Sequence, residues 1–286
     1  MAVINADLIS IVVTTYQRPD ALDAALSALA RQADRNFEII VADDGSGAET
    51  EHVLAGWMLR MPVPVKHVWQ EHNGFRGAEI RNRAIGAGAG AYYIFLDGDC
   101  LARPDFVATH RRLAEPGWFV AGNRILLSAK LTQAVLAEKI AAETWGLGKL
   151  AGERLHGGVN RLIPALRVPL GPVRRLRSCA WEGAKTCNLA VARSDLDLVD
   201  GFDARYSGWG LEDSDLVVRL FHAGLRRKDG RFATGVLHLW HPEADRSGLQ
   251  ANQHRLDEVL RGDRVRAQEG LSTCQRADAS RRCAQA

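Results

Sequence analysis

Unbroken apolar runs alternate with helical periodicity through the first hundred residues. "LISIVVTT" (8–15) is continuous and β-branched, the pattern of a strand buried on both faces. "PDALDAALSALARQA" (19–33) opens on Pro19 and an acidic first turn, then repeats Leu22, Leu26 and Leu29 at helical spacing. "FEIIVAD" (37–43) predicts a second strand, 49–60 a helix, 63–69 a strand, 76–89 a helix, and "YYIFLD" (92–97) a fourth strand. This alternation predicts an α/β fold: a Rossmann-like, mostly parallel sheet with helices on both faces. Ligands of such sheets sit beyond the carboxyl ends of the strands. Three of those ends carry polar groups: "TTYQR" (14–18), "ADDGS" (42–46) and "LDGDC" (96–100).

The second half is less regular. "WFVAGNRILL" (118–127) predicts a strand, "TQAVLAEKIAAETWGL" (132–147) a helix, and "KTCNLAVAR" (185–193) a strand. Residues 151–178 are rich in Gly, Pro and Arg and predict a loop. "LEDSDLVVRLFHAG" (211–224) predicts a helix whose first turn carries Glu212, Asp213 and Asp215, where the helix dipole favours anions. "GVLHLWH" (235–241) reads as a strand end. From 270 to 286 the chain is polar and is expected to be a disordered tail.

Composition narrows the classes. Of 286 residues, 47% are hydrophobic and 25% charged, ordinary for a globular protein. A net charge of +3 supplies no basic field of the kind that binds nucleic acid. The five cysteines are scattered without a C-x-x-C pair, which argues against a zinc–thiolate site and suits reduced thiols in the cytosol. The N-terminus has no basic segment ahead of its apolar run, and no run approaches the ~20 apolar residues of a membrane span. The expectation is a cytoplasmic protein that meets a membrane only from its surface, as a peripheral protein on the cytoplasmic face of the inner membrane.

Asp97 and Asp99 flank Gly98 at the end of an apolar strand. Alternate carboxylates in a tight turn point the same way, and a hard divalent cation holding substrate phosphates needs only one or two protein carboxylates. The plain alternative is an acidic turn: two solvated carboxylates ~4 Å apart repel by only about 1 kcal/mol. In "YSGWGLEDSDL" (206–216), Gly208 and Gly210 flank Trp209, so a loop presents a planar ring beside carboxylates, an arrangement suited to a sugar. The alternative is a core tryptophan ahead of ordinary helix-start acids. His238 and His241 lie at a strand end; if one completes the site of Asp99, imidazole there admits an Mn2+-like ion beside Mg2+, and the alternative is a structural hydrogen-bond donor. Arg76, Arg81 and Arg83 surround a helix start, and guanidinium matches phosphate; a solvated basic face is the alternative. "GAGAGA" (86–91) is no dinucleotide fingerprint, because it follows a helix and precedes a strand.

"ISIVVTTYQRPDAL", "FEIIVADDGS", "HNGFRGAEIRNRAI", "YYIFLDGDC", "CNLAVARSDL" and "GWGLEDSDLVVRL" occur in the order found in inverting family 2 glycosyltransferases of the GT-A fold, which the chain resembles over residues 8 to 242. The "GWGLEDSDL" block with "HLWH" also resembles the C-terminal part of galactosyltransferase-type and chondroitin-polymerase-type enzymes. The resemblance implies a single GT-A domain over 1–269, with a nucleotide-sugar-binding half (1–115) and an acceptor and catalytic half (116–269). It implies that Thr15, Tyr16 and Arg18 approach the nucleotide, and that Asp44 accepts a hydrogen bond from uracil, with Asp43 able to exchange that role. Arg76 and Arg81 match contacts to diphosphate or ribose. Asp97 matches a position near ribose and metal, and Asp99 the direct ligand of Mn2+ or Mg2+, with His241 and His238 as late ligands. Asp213 matches the catalytic base, Glu212 an acceptor-binding carboxylate, and Trp209 the loop over donor and acceptor. Glu212 and Asp215, as neighbouring carboxylates, are expected to raise the pKa of the base.

The implied reaction moves a sugar from a UDP-sugar to a hydroxyl of a glycan or glycolipid acceptor, in bacterial surface polysaccharide or lipopolysaccharide synthesis. The Q-x-x-R-W string of processive synthases is absent, so one sugar or a few are added. A non-catalytic sugar-nucleotide-binding scaffold is the alternative, against which Asp99 and Asp213 argue. A nucleotidylyltransferase should carry a glycine-rich basic loop where this chain has "TTYQRPD". The segment Arg154–Arg177, with six arginines and no carboxylate, suits an anionic acceptor or lipid head groups, or is a solvated basic loop.

Overall fold

The computed structural model describes residues 8–243 and 245–276. Strands β1 (Ile9–Thr15), β2 (Phe37–Asp43), β3 (Val65–Trp69) and β4 (Tyr92–Asp97) run parallel in the order β3-β2-β1-β4. Helices α1 (Pro19–Ala30), α2 (Ala48–Arg60) and α3 (Gly77–Ala87) connect them. Alternate residues of each strand feed opposite cores, because a strand's side chains alternate across the sheet. Ile9, Ile11 and Val13 of β1 pack with Leu22, Leu26 and Leu29 of α1, while Val12 packs with Ile80 and Ile85 of α3. Each such buried aliphatic contributes ~1.5–3 kcal/mol. The register sets Thr15 opposite Asp43, Asp43 opposite Trp69, and Thr14 opposite Asp97, so the polar strand ends share one edge.

The parallel part stops at β4. After β5 (Cys100–Leu101), α4 (Phe106–Leu113), β6 (Trp118–Ala121), β7 (Arg124–Leu126), α5 (Ala129–Ala137) and α6 (Leu147–Leu155), strand β8 (Leu189–Ala192) joins β4 antiparallel. Then follow α7 (Arg193–Leu198), α8 (Glu212–His222), β9 (Arg226–Asp229), β10 (Val236–His238) and α9 (Leu249–Arg261). Among the described residues the large sheet has seven strands, β3-β2-β1-β4-β8-β6-β9, and β5-β10-β7 form a small second sheet.

The glycine run before β4 is structural. A Cβ on Gly90 would meet Ser10 N and Oγ at 2.6 Å, so only glycine lets this turn approach the start of β1. Ser10 Oγ accepts from Gly90 N and donates to Glu38, closing the crossing.

Five expectations are corrected. The strand over 118–127 breaks at Gly122, and its halves enter different sheets. The cause is Asn188, which accepts from Gly122 N through its carbonyl and whose side chain would lie 2.3 Å from a Cβ at 122. The helix over 132–147 starts earlier, where Ser128 Oγ accepts from Leu131 N, and ends where Lys139 takes a φ of 51° and Ile140 N donates to Val135 O. The strand over 185–193 begins only at Leu189, after a 3-10 turn, and Arg193 already starts α7. Residues 151–178 are not a plain loop: they begin inside α6 and wind through 3-10 turns at Ile163–Ala165 and Gly171–Arg175. The expected tail from 270 is ordered through 276, where residues 271–276 are helical, Leu271 is buried, and Ser272 N and Oγ both donate to Asp200. Residues 277–286 lie outside the described residues.

Candidate active site

The turn after β4 is built on a close approach. Gly98 N donates to Thr14 O at 2.7 Å, and a Cβ at Gly98 would sit 2.9 Å from that oxygen. Glycine therefore lets the turn lie against the end of β1, leaving Asp97 and Asp99 at the sheet edge. β10 pairs antiparallel with β5, setting His238 opposite Cys100. His238 Nε2 and His241 Nε2 each lie 3.5 Å from a different oxygen of Asp99.

Ligand atoms of Asp97, Asp99, Cys100 and His238 all fall within 4.8 Å of one another. His238 is buried and His241 partly exposed. Burial, outweighing the pull of Asp99, lowers the pKa of His238 and favours the neutral imidazole that binds metals. Burial raises Asp97, with Arg81 opposing and Asp99 adding to the rise; a cation would relieve both carboxylates. Cys100 is the exception in this donor set. Burial, with Cys187 and Asp99 nearby, holds its thiol protonated, and a neutral thiol is a poor ligand for a hard ion. Two carboxylates and one or two imidazoles fit Mn2+ or Mg2+; the thiol borders the site.

The second set of acids comes from the start of α8. Gly208, Gly210 and Leu211 all have positive φ, at 75°, 100° and 76°. Leu211 is the costly one, since a Cβ-bearing residue seldom adopts this conformation. The loop is fixed from behind: Asn252 Nδ2 of α9 donates to Ser207 O and Gly210 O, and Gly208 N donates to Phe75 O. Trp209 is left partly exposed, with the Arg246 guanidinium 5.0 Å from its ring centre.

Glu212 and Asp213 are buried together. Glu212 Oε1 accepts from Arg81 Nη1 at 3.0 Å, while its Oε2 is buried without a hydrogen-bond partner among the described residues. Burial, then the Asp213 charge, raises the pKa of Glu212. Asp213 Oδ1 accepts from Lys185 Nζ and from Ser214 Oγ, both at 3.3 Å.

Asp215 does not take part, contrary to expectation. It is fully buried and turned inward, bonded to Arg219 Nε at 2.7 Å and near the Tyr206 hydroxyl. Residues one and two positions past Asp213 rotate about 100° each around the helix axis, which carries Asp215 away from the face that holds Asp213.

Arg81 joins the two acidic groups. Its Nη2 lies 3.7 Å from Asp97, its Nη1 holds Glu212, and its Nε donates to Thr14 Oγ1. The side chain is buried, so water screens this bridge little.

At the other end of the edge, Asp44 Oδ1 accepts from Gln70 Nε2 at 2.6 Å and its Oδ2 from Arg76 N at 2.8 Å. Asp43 is committed elsewhere, to Ser46 N and His67. The Tyr16 ring stacks on His72, with centroids 4.2 Å apart and planes 11° apart. Thr15 is buried and its carbonyl accepts from Asp44 N. Arg18 pairs with Asp20 at 2.9 Å, and the Arg76 guanidinium with Glu79 and the Glu71 carbonyl; Arg83 pairs with Glu79. Asp97, Asp99, His238, His241, Arg81, Glu212 and Asp213 are thus linked through contacts, whereas Arg18 and Arg76 are engaged locally. Lys185, Gln70, His72 and Arg124, which acts electrostatically on Asp97 and His238, carried no local signal.

A mostly parallel mixed sheet flanked by helices is the fold of GT-A glycosyltransferases. S. aureus TarS 1–349 in complex with UDP matches with a TM-score of 0.58 at 14% identity, covering 88% of this chain and 64% of that one. The mannosyltransferase PcManGT from Pyrobaculum calidifontis, in complex with GDP-Man and Mn2+, matches at 0.52 and 18% identity, covering 88% and 61%. These likenesses are of fold. Residues 10–161, more than half the chain, match glycosyl transferase family 2, and the chain belongs to that family. Residues 177–241 match the N-terminal domain of galactosyltransferase.

Among curated relatives, validoxylamine A glucosyltransferase of Streptomyces hygroscopicus subsp. limoneus is 29% identical over 269 residues, covering 88% of this chain and 56% of the relative. Chondroitin synthase of Escherichia coli is 26% identical over 237 residues, covering 76% and 33%. The chain therefore spans about half the length of the first and a third of the second. Among the described residues no helix is long and apolar enough to cross a membrane.

Proposed function

We propose that this chain is a metal-dependent, inverting transferase that moves a sugar from a UDP-sugar to a hydroxyl of a glycan or glycolipid acceptor, in bacterial surface polysaccharide or lipopolysaccharide synthesis. The observation that carries the reading is the Arg81 bridge, which sets the strand-end acid Asp97 and the helix-start acid Glu212 on one guanidinium.

In this reading Asp99, His238 and His241 hold a divalent cation, with Asp97 beside it. That cation supplies Lewis-acid neutralisation of the charge that builds on the departing diphosphate. Tyr16 offers a ring face to the base, and Asp44 an acceptor already oriented by Gln70 and Arg76 N. Trp209 stands over the sugar on a loop that Asn252 keeps in place. Glu212 Oε2, an unpartnered buried acceptor, is suited to a hydroxyl of the acceptor sugar. Asp213 takes the proton from the attacking hydroxyl, whose oxygen bonds to the anomeric carbon as the bond to the diphosphate breaks on the opposite face. A single displacement turns an α-linked donor into a β-linked product. Lys185 donates to Asp213 Oδ1 and holds that carboxylate in place.

The test is UDP release from candidate UDP-sugars with Mn2+, with and without acceptor, in wild type and Asp213→Asn. The variant is expected to bind UDP and to lose transfer, by about 100-fold or more for a missing general base. Full retained activity overturns the assignment. UDP-binding without turnover by wild type, over a broad acceptor panel, would favour a scaffold.

A further inference from the structure

The six-arginine segment 154–177 contains no carboxylate; Val159 and Ala165 are buried, while five larger apolar side chains face outward. Leu155 is 86% exposed, Ile163 56%, Val173 52% and Leu176 79%, with Val168 also exposed. This is not a loose loop spreading its residues at random. Arg174 is buried and donates to the carbonyls of Asp229, Arg231 and Val168, and Val168 N donates to Phe232 O. The anchor fixes Val173, Leu176 and their neighbours in an outward position. Outward valine, isoleucine and leucine in so short a stretch form the kind of surface that proteins normally cover.

Charge says what covers it. Arg167 and Arg175 are held by Asp105 and Glu115. Arg154, Arg161 and Arg177 are exposed, and none has a carboxylate within ion-pair distance among the described residues. Apolar side chains interleaved with unneutralised guanidinium groups match a bilayer interface, where the former enter the acyl boundary and the latter meet lipid phosphates. A protein partner would instead have to bring its own acids to several separated arginines.

The strap also has a fixed relation to the candidate active site. Asn160 N donates to Leu126 O, and Leu126 N to Asn160 Oδ1, tying the strap to β7. Leu126 is paired in register with His238 of β10. The strap thus borders the edge that carries Asp99 and His238.

We propose that residues 154–177 are a membrane-docking strap that seats this chain on an anionic bilayer surface. Resting on the transferase reading, the strap places the crevice at the bilayer, where a lipid-linked acceptor hydroxyl is presented to Asp213. Binding itself does not depend on that reading, so the experiment measures it without substrate. The protein is sedimented with phosphatidylcholine vesicles with and without phosphatidylglycerol, at low and high salt. Binding is expected with the anionic vesicles alone, falling as salt rises.

Two variants probe the two chemistries. Arg154→Gln with Arg161→Gln and Arg177→Gln is expected to weaken binding roughly 100-fold, since each basic residue at an anionic surface contributes about fivefold. Val173→Glu with Leu176→Glu removes the apolar insertion and is expected to weaken it as well. All five side chains are exposed, and of the three arginines Arg161 bonds only the Arg124 carbonyl, a contact Gln can also donate to, so thermal melting should stay close to wild type. Equal binding to neutral and anionic vesicles, no binding to either, or unchanged binding by both variants overturns the proposal. An Asp213→Asn protein that binds vesicles like wild type is expected. Loss of transfer with intact vesicle binding would bear on the catalytic reading and leave the strap standing.

Discussion

Glu212 and Asp213 are neighbours in sequence with different surroundings. Glu212 is held by Arg81 and keeps one unpartnered oxygen, while Asp213 faces Lys185. Glu212→Gln retains the shape and removes the charge, so the acceptor KM should rise with donor KM little changed; steady-state kinetics against each substrate separates the two. A rise confined to the donor would place Glu212 on the nucleotide side.

His110 supplies a pH dependence unrelated to the site. Burial lowers its pKa to about 4, and its Nε2 donates to Asn188 Oδ1. Between its ordinary value of 6.5 and about 4, the unfolded chain takes up a proton that the native histidine refuses. The stabilisation is therefore complete above 6.5 and is lost as pH falls through that interval, by about 3 kcal/mol in all. Urea denaturation at neutral pH and at pH near 5 should show a smaller acid loss in His110→Gln than in wild type. Asp97 and Asp99 are legible as positions in the sequence because they flank the turn that ends β4, and Glu212 and Asp213 because they open α8. Lys185, Gln70 and His72 are not, because each acquires its partner only when separate segments close on one another.

At the scale of elements, local pattern and tertiary contact meet at two places. Within 118–127 the local signal to stop is Gly122-Asn123, and Asn188, arriving from the segment before β8, occupies the space a side chain at 122 would need. Gly122→Ala should destabilise by about 1–3 kcal/mol, the usual cost of an overpacked core position, measurable by urea denaturation; an unchanged midpoint would mean that Asn188 moves freely. The helix starting in α5 stops at Lys139 although its composition would carry it on. Strands β1 to β4, by contrast, were readable nearly to the residue, since continuous apolar runs bounded by Pro19, Gly45 and Gly98 admit few other arrangements. In the first turn of α8, three acids in four residues look alike in sequence, but Asp215 points at Arg219 in the core. Asp215→Asn should cost about 3–5 kcal/mol by leaving a buried guanidinium without its counter-charge. Its effect should appear in melting rather than selectively in kcat; a normal melting curve with lost turnover would return Asp215 to the site.

Over the whole molecule, the large sheet and the small one meet at the acid turn: Asp97 ends β4 of one, and Cys100 begins β5 of the other. A ligand at that seam would bind the native form and not the unfolded chain, and should therefore stabilise the whole fold. Mn2+ with UDP is expected to raise the melting temperature of wild type, by up to about 2.7 kcal/mol of stability at a hundredfold excess over Kd, and to do so far less in Asp99→Ala. Equal shifts in both proteins would move the cation elsewhere. The C-terminal helix is hidden for a different reason: its composition from 271 onward is polar, yet Leu271 enters the core beside Leu196 and Val199 and Ser272 docks on Asp200, both distant in sequence.

The Arg81 bridge has a kinetic corollary. A guanidinium shared between Asp97 and Glu212 cannot serve both sides independently: whatever settles against Asp97 changes its hold on Glu212. Loading should accordingly follow a compulsory sequence, nucleotide sugar first and alcohol second, with spent nucleotide leaving last. Product inhibition by UDP would then be competitive against the donor and noncompetitive against the alcohol, and Arg81→Lys, with a shorter reach, should blur that distinction.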